Sequence, residues 1–346
     1  MEMKAAVKQE PKPGITLTNV PVPQAGPNDI ILRIGAAAIC GSDLHVYNWD
    51  ETGKAMVKTM PVILGHEFMG EIVEVGDNVN GFNIGERVAV DPGITCGTCM
   101  GCRTGQFNLC EHRETIGADR DGGFAQYTLV NPNLLYKISD EVTDEMGAFL
   151  EIFALAVHAV EKANIKPGDT ALIIGAGPIG LSTLLCARAA GAKEIYITEK
   201  HSPIRLKVAE ELGPDGVIDV DEVDPVKTFL DMKKGQKADV VFEVSGDPTV
   251  IHQAAALTRK GGEIILIGVP PTNNVEIPLR TLVDNEISMI GIRGRNHISW
   301  TRAINLIKKV NVGPIIGEAI FSLDDIDDAF KKVKNREVIK GFIKPN

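Results

Sequence analysis

Gly175-Ala176-Gly177-Pro178-Ile179-Gly180 is the stretch whose surroundings decide the fold. Thr170–Ile174 before it is an unbroken apolar run that reads as a strand, and Pro178–Ala190 after it reads as a helix. A G-x-G-x-x-G string alone is common, and an ordinary strand-to-helix turn is its plain reading. Between a strand and a helix each glycine has a job. Gly175 permits the tight turn, Gly177 lets backbone approach a pyrophosphate, and Gly180 lets helix and strand pack closely. Pro178 and Ile179 open the helix, whose free N–H groups and positive dipole end suit phosphate. Glu199 follows nineteen residues after Gly180, at the end of the next strand, where an acid hydrogen-bonds ribose hydroxyls.

Outward from this point the chain alternates. Glu194–Thr198, Gly216–Val220, Ala238–Val244, Glu263–Gly268 and Ile287–Ile292 read as strands, and 203–212, 224–233 and 248–258 as helices. That alternation predicts a doubly wound parallel sheet, an α/β Rossmann domain over residues 156–294. Before it the texture differs. Ile30–Ile39, Gly70–Val75, Arg87–Val90, Ala125–Val130 and Leu134–Ile138 are short strand-like runs broken by Gly and Pro, with few segments of helical period. Residues 1–155 therefore read as a β-rich domain, joined to the other by a helix over Met146–Ala163. Trp300–Lys309 and Ile326–Lys334 read as helices and Val338–Lys344 as a closing strand, so 295–346 is expected to return to the first domain.

The chain has 346 residues, enough for two cores, with 44% hydrophobic and 24% charged residues, as in ordinary soluble enzymes. A net charge of −10 without a run of Lys and Arg argues against nucleic acid and anionic membranes as partners. Met1–Gly14 lacks the apolar core of a secretory signal, and the apolar run Ala171–Ala187 is shorter than the roughly 20 residues of a membrane span. The expected location is cytoplasmic.

In such a compartment six cysteines point to metal rather than disulfides. Cys96, Cys99, Cys102 and Cys110 are separated by two, two and seven residues. Four thiolates at this density can close a tetrahedral zinc shell with no open position, which is a folding role; the seven-residue gap does not fit the iron–sulfur signature. The lobe spans about residues 92–113. Cys186, alone in an apolar helix, reads as core. Elsewhere, His66 and Glu67 lie between Gly65 and Gly70, and Cys40 comes twenty-six residues before His66. A thiol, an imidazole and nearby carboxylates are a donor set that zinc accepts.

Gly65-His66-Glu67 with Gly70, Gly76 and Val79 matches the zinc signature of the medium-chain alcohol dehydrogenase family at every position. With the cysteine lobe and the nucleotide stretch, the whole chain resembles that family. The resemblance implies a GroES-like fold for the β-rich domain, one catalytic and one structural zinc per subunit, NAD as cofactor, and a homotetramer acting on a small alcohol. It implies catalytic zinc ligands at Cys40, His66 and Glu151, with Glu67 either a fourth ligand or a group behind the ligands. It also implies a proton relay through Ser42 and His45, and an orienting role for Asp43. The plain readings are turn residues for Ser42, Asp43 and His45, and a helix-terminal surface residue for Glu151. The charge of Glu199 favours NAD over NADP, while Lys200 and Arg205 nearby weaken that preference. Arg293 lies in Arg293-Gly294-Arg295, similar to a segment near the cofactor in the threonine-oxidising branch. His45-Val46-Tyr47-Asn48-Trp49-Asp50 also resembles that branch, whereas Glu151–Ala159 is closer to the sorbitol and butanediol branch. The expected reaction is therefore threonine oxidation to 2-amino-3-oxobutanoate, with polyol or diol oxidation as the alternative. A nucleotide-binding protein without catalysis is the third reading, and the intact ligand set argues against it.

Overall fold

The computed structural model describes residues 1–345, and its contacts divide the chain into two units. One comprises Met1–Glu151, Asn296–Lys309 and the described residues from Ile316 onward; the other comprises Ile152–Arg295 and Val310–Ile315.

The first unit is built on a seven-stranded sheet. Its spine is the pair Ile30–Ala38 and Glu67–Val75, antiparallel with Ile30 opposite Val75 and Ala38 opposite Glu67. Alanines and β-branched residues let these strands bury both faces, and Ile30, Leu32, Ile34, Phe68 and Ile72 join Phe124 and Phe330 in one core. Phe342–Lys344, from the end of the chain, pairs with the same spine, Phe342 opposite Ala38. A smaller sheet joins Thr16–Pro21, Glu2–Lys8 and Val62–Ile63.

The second unit is a six-stranded parallel sheet. Its order is Gly216–Asp219, Glu194–Glu199, Thr170–Ile174, Ala238–Glu243, Thr258–Leu266, Ser288–Gly291. Thr170–Ile174 is buried throughout, which is why its sequence is continuously apolar rather than alternating. Chain order reverses direction between it and Ala238–Glu243, the point at which open parallel sheets bind ligands. Gly175 follows at φ +111, and Pro178–Ala190 begins as the spacing predicts.

The β-rich unit holds helices that periodicity does not announce. Gly41–Asn48 and Glu51–Met56 are helical, although both contain glycine and neither carries an apolar stripe. Local hydrogen bonds supply what propensity lacks. The Asp43 carboxylate accepts the Cys40 N–H at 2.9 Å, and Asp50 caps the second helix by accepting the Gly53 N–H at 3.0 Å. The linking helix spans Asp144–Lys162, so Glu151 is an interior position, 7% exposed, rather than a surface residue at a helix end. Leu279–Asp284 is a further helix outside the expected set. Among the described residues no helix is long and apolar enough to cross a membrane.

Gly180 shows how tightly the phosphate-loop geometry is specified, since a Cβ there would meet the Gly175 carbonyl oxygen at 1.9 Å. Gly180→Ala should push the helix off the strand and cost about 1–3 kcal/mol. Thermal unfolding with and without dinucleotide checks this. A wild-type melting temperature with normal cofactor binding would show that the loop has slack.

Candidate active site

The register of the spine brings the first donor cluster together. Ala38 faces Glu67, so Cys40 just past one strand and His66 just before the other emerge at the same end of the sheet. Gly65 permits this exit. It sits at φ +93, and a Cβ there would strike the Phe124 ring at 2.8 Å. Cys40, His66 and Glu67 each place a ligand atom within 4.8 Å of the other two.

What stands behind these groups sets their orientation. The Asp43 carboxylate lies 3.3 Å from His66 Nδ1, leaving Nε2 for the cluster, and the Ser42 hydroxyl is 3.4 Å from that Nε2. Burial works against the charged imidazole, but Asp43 and the Cys40 sulfur outweigh it and hold His66 well above the usual histidine range. Glu67 is fully buried. Its Oε2 is 2.5 Å from the ammonium of Lys340, itself 2% exposed, while Oε1 has no hydrogen-bond partner. Burial raises the Glu67 carboxyl above its ordinary value despite the opposing pull of Lys340, and Glu151 adds to the rise. For Lys340 the balance runs the other way. Burial lowers it, but Glu67 first, then Cys40 and Glu151, hold it above the usual lysine value. Glu151 is thus within electrostatic reach of the cluster but outside the group of three close donors.

Lys340 is the residue that sequence reading missed. Its sole signal is a lysine in the otherwise apolar run Val338-Ile339-Lys340-Gly341-Phe342-Ile343. The Ile39 N–H donates to the Gly341 carbonyl at 2.9 Å, which sets Lys340 beside Cys40.

The four-cysteine lobe forms a second cluster. The sulfurs of Cys99 and Cys102 are 3.5 Å apart, those of Cys96 and Cys110 3.6 Å, and those of Cys96 and Cys102 4.0 Å. These distances exceed a disulfide and match the roughly 3.8 Å edge of a tetrahedron with zinc–sulfur bonds of about 2.3 Å. The N–H groups of Thr98 and Cys99 pull Cys96 down to about 5, those of Cys102 and Glu111 lower Cys99, and burial with neighbouring sulfurs pushes Cys102 up to about 12. Backbone already prepared for thiolate charge fits a cation. Cys186 is buried in its helix, as a core residue.

In the second unit Glu199 ends its strand 5% exposed, and its Oε2 accepts the Ala176 N–H at 2.6 Å. Its Oε1 is 3.6 Å from Arg205. The acid therefore braces the glycine loop. The Gly177 end of the helix has no side-chain cap, so its first N–H groups remain available to an anion. Lys200 and Arg293 are exposed, Arg293 just past the strand Ser288–Gly291.

The loop after Cys40 is tightly held. The Tyr47 hydroxyl donates to Asp327 at 2.5 Å and its ring stacks on Phe330 at 4.9 Å. The Lys8 ammonium donates to the Lys12 and Gly14 carbonyls and lies 4.7 Å over the Trp49 ring. Tyr47 and Trp49 therefore pack the loop. His45 bonds Asp50 through Nδ1 at 2.7 Å.

Residues 26–140 match the alcohol dehydrogenase GroES-like domain family, and residues 178–309 the zinc-binding dehydrogenase family. The chain is 36% identical over 333 residues to the L-threonine 3-dehydrogenase of Idiomarina loihiensis, covering 95% of this chain and 96% of that one. It belongs to the zinc-dependent medium-chain alcohol dehydrogenase family. It is an oxidoreductase that uses zinc and a nicotinamide cofactor. Within the family it is 33% identical over 350 residues to the sorbitol dehydrogenase of Bacillus subtilis, covering 99% and 98% of the two chains. Among solved structures, a zinc-binding dehydrogenase from Sinorhizobium meliloti bound to NADP superposes with a TM-score of 0.92 at 32% identity over the full length of both chains. The 2R,3R-butanediol dehydrogenase of Bacillus subtilis gives 0.88 at 33% identity, over 99% of this chain and 100% of that one.

Removing one partner of a buried ion pair leaves an uncompensated charge. Lys340→Met should cost about 3–5 kcal/mol at neutral pH, and Lys340→Arg less. Urea unfolding at pH 7 measures both, and a Lys340→Met midpoint equal to wild type would show that Glu67 is balanced from elsewhere.

Proposed function

We propose that this protein oxidises L-threonine at its secondary alcohol to 2-amino-3-oxobutanoate, with NAD as the hydride acceptor. The observation that carries an alcohol-oxidising site is the convergence of Cys40, His66 and Glu67 within 4.8 Å, with Asp43 behind His66. In this reading Cys40, His66 and Glu151 hold the catalytic zinc. Glu67, tied to Lys340 through Oε2, keeps Oε1 for the ion. Cys96, Cys99, Cys102 and Cys110 hold a second, structural zinc. A zinc ion in the first cluster supplies Lewis acidity toward the alcohol oxygen.

The chain's own groups do the rest. Asp43 fixes the His66 tautomer, so that Nδ1 carries the proton and Nε2 keeps its lone pair free. The Ser42 hydroxyl, beside that Nε2, takes up the substrate's hydroxyl proton, and His45 passes it outward. NAD would supply the hydride acceptor, and the Gly177 helix end would hold its pyrophosphate. The Glu199 carboxylate repels a 2′-phosphate, and Arg205 offsets part of that charge.

Threonine is favoured over a plain alcohol by the run His45 to Asp50 and by the threonine dehydrogenases among the relatives at 33–36% identity. The second reading, polyol or diol oxidation, is supported by the sorbitol dehydrogenase relative at 33% identity. NAD reduction with L-threonine, sorbitol and 2,3-butanediol side by side separates them, and repeating the best substrate with NADP tests the cofactor. Threonine with NAD should give the highest kcat/KM; a polyol or NADP in that place overturns the corresponding half of the reading. Ser42→Ala should lower turnover about a hundredfold at constant zinc content, and unchanged turnover would remove Ser42 from the proton path.

A further inference from the structure

The two ends of the run His45 to Asp50 meet in space, and the relay described above has no use for Asp50. Trp49 adopts a left-handed conformation, φ 54, which ends the helix Gly41–Asn48 and turns the chain back so that Asp50 faces His45. One Asp50 oxygen accepts the Gly53 N–H at 3.0 Å, and the other is 2.7 Å from His45 Nδ1. The second helix is pressed against His45 itself, because a Cβ on Gly53 would lie 2.2 Å from the His45 carbonyl oxygen.

The other charges around the pair are already engaged. Glu51 pairs with Lys54, Asp327 takes the Tyr47 hydroxyl and Lys331, and Lys334 donates to Asn48. Asp50 is the carboxylate left for the imidazole. Burial raises its carboxyl, but the Gly53 N–H, the His45 ring and the Thr52 N–H together outweigh that and hold it below the usual range, so it stays ionised. His45 lies three residues after Ser42 on one helix, on a shared face, and is half exposed.

We propose that Asp50 is a positioning residue for proton release: it accepts the Nδ1–H of His45, fixes that tautomer, and makes Nε2 the ring atom that takes the substrate's proton. The imidazolium so formed is stabilised by Asp50 and returns the proton from Nε2 to water, leaving His45 neutral for the next turnover. The inference rests on the reading of His45 as the outer member of the proton path.

A double-mutant cycle on the zinc-loaded enzyme with saturating NAD and its best alcohol tests it. Asp50→Asn, which retains the cap on Gly53, should lower kcat about tenfold, raise the solvent deuterium isotope effect, and leave zinc content and melting temperature unchanged. In the His45→Ala background the same change should have no further effect on kcat, because Asp50 acts only through the imidazole. Added imidazole should restore turnover to His45→Ala with and without Asp50. Unchanged kcat in Asp50→Asn, or an equal loss in both backgrounds, overturns the proposal. Should Asp50→Asn fold poorly, Asp50→Ser keeps the helix cap and is read by the same cycle. If His45→Ala keeps wild-type turnover, the relay reading itself fails, and that result is separate from any effect at position 50.

Discussion

The pairing of Ala38 with Glu67 on one side and Phe342 on the other is the constraint from which the first donor cluster follows. Side chains alternate along a strand, so a slip of one residue would move Glu67 and Phe68 each to the face the other now occupies. Phe68 is packed in the core with Ile34, Phe124 and Phe330, and that packing prevents the slip. The register that hydrophobic burial selects is therefore the one that delivers Cys40, His66 and Lys340 to a single place. The last of these comes from the far end of the chain.

This placement has an electrostatic cost. Glu67, Lys340 and Asp43 are each no more than 3% exposed, and ions moved out of water are stabilised only by close opposite partners. Here each has one. Lys340 faces Glu67, and Asp43 serves both the Cys40 N–H and the His66 ring. A well-packed apolar trio would stabilise the fold as well or better. The charges make sense as the surroundings of a cation, where Lys340 limits how much negative charge accumulates beside it.

The two units solve the problem of anchoring a charged group differently. The β-rich unit brings side chains together from separated segments, and the parallel-sheet unit offers backbone N–H groups at the start of one helix. In the latter, glycines are needed because the loop crosses itself: Gly180 lies against the Gly175 carbonyl with no room for a side chain. Glu199 then holds the loop through the Ala176 N–H, linking the neighbouring strand to the phosphate-binding turn.

The parallel sheet was legible because its central strands, Thr170–Ile174, Glu194–Glu199 and Ala238–Glu243, are largely buried runs, and the helices starting at Pro178, Pro203 and Pro225 open with proline. The four cysteines were equally plain, since their spacing is local and their chemistry admits few uses. The helices after Cys40 were not. They are held by the side chains of Asp43 and Asp50 rather than by propensity or an apolar stripe, and such caps resemble ordinary turn residues in one dimension. Lys340 was invisible for another reason: a lysine in a strand declares nothing until the partner strand shows which carboxylate it faces. The sequence by itself determined the doubly wound domain and the cysteine lobe, both of which depend on near neighbours. Only the tertiary structure decided that Lys340 neutralises Glu67, that Glu151 is buried within its helix, and that Asp50 turns back onto His45, because each depends on where sheet register and a left-handed turn bring distant atoms.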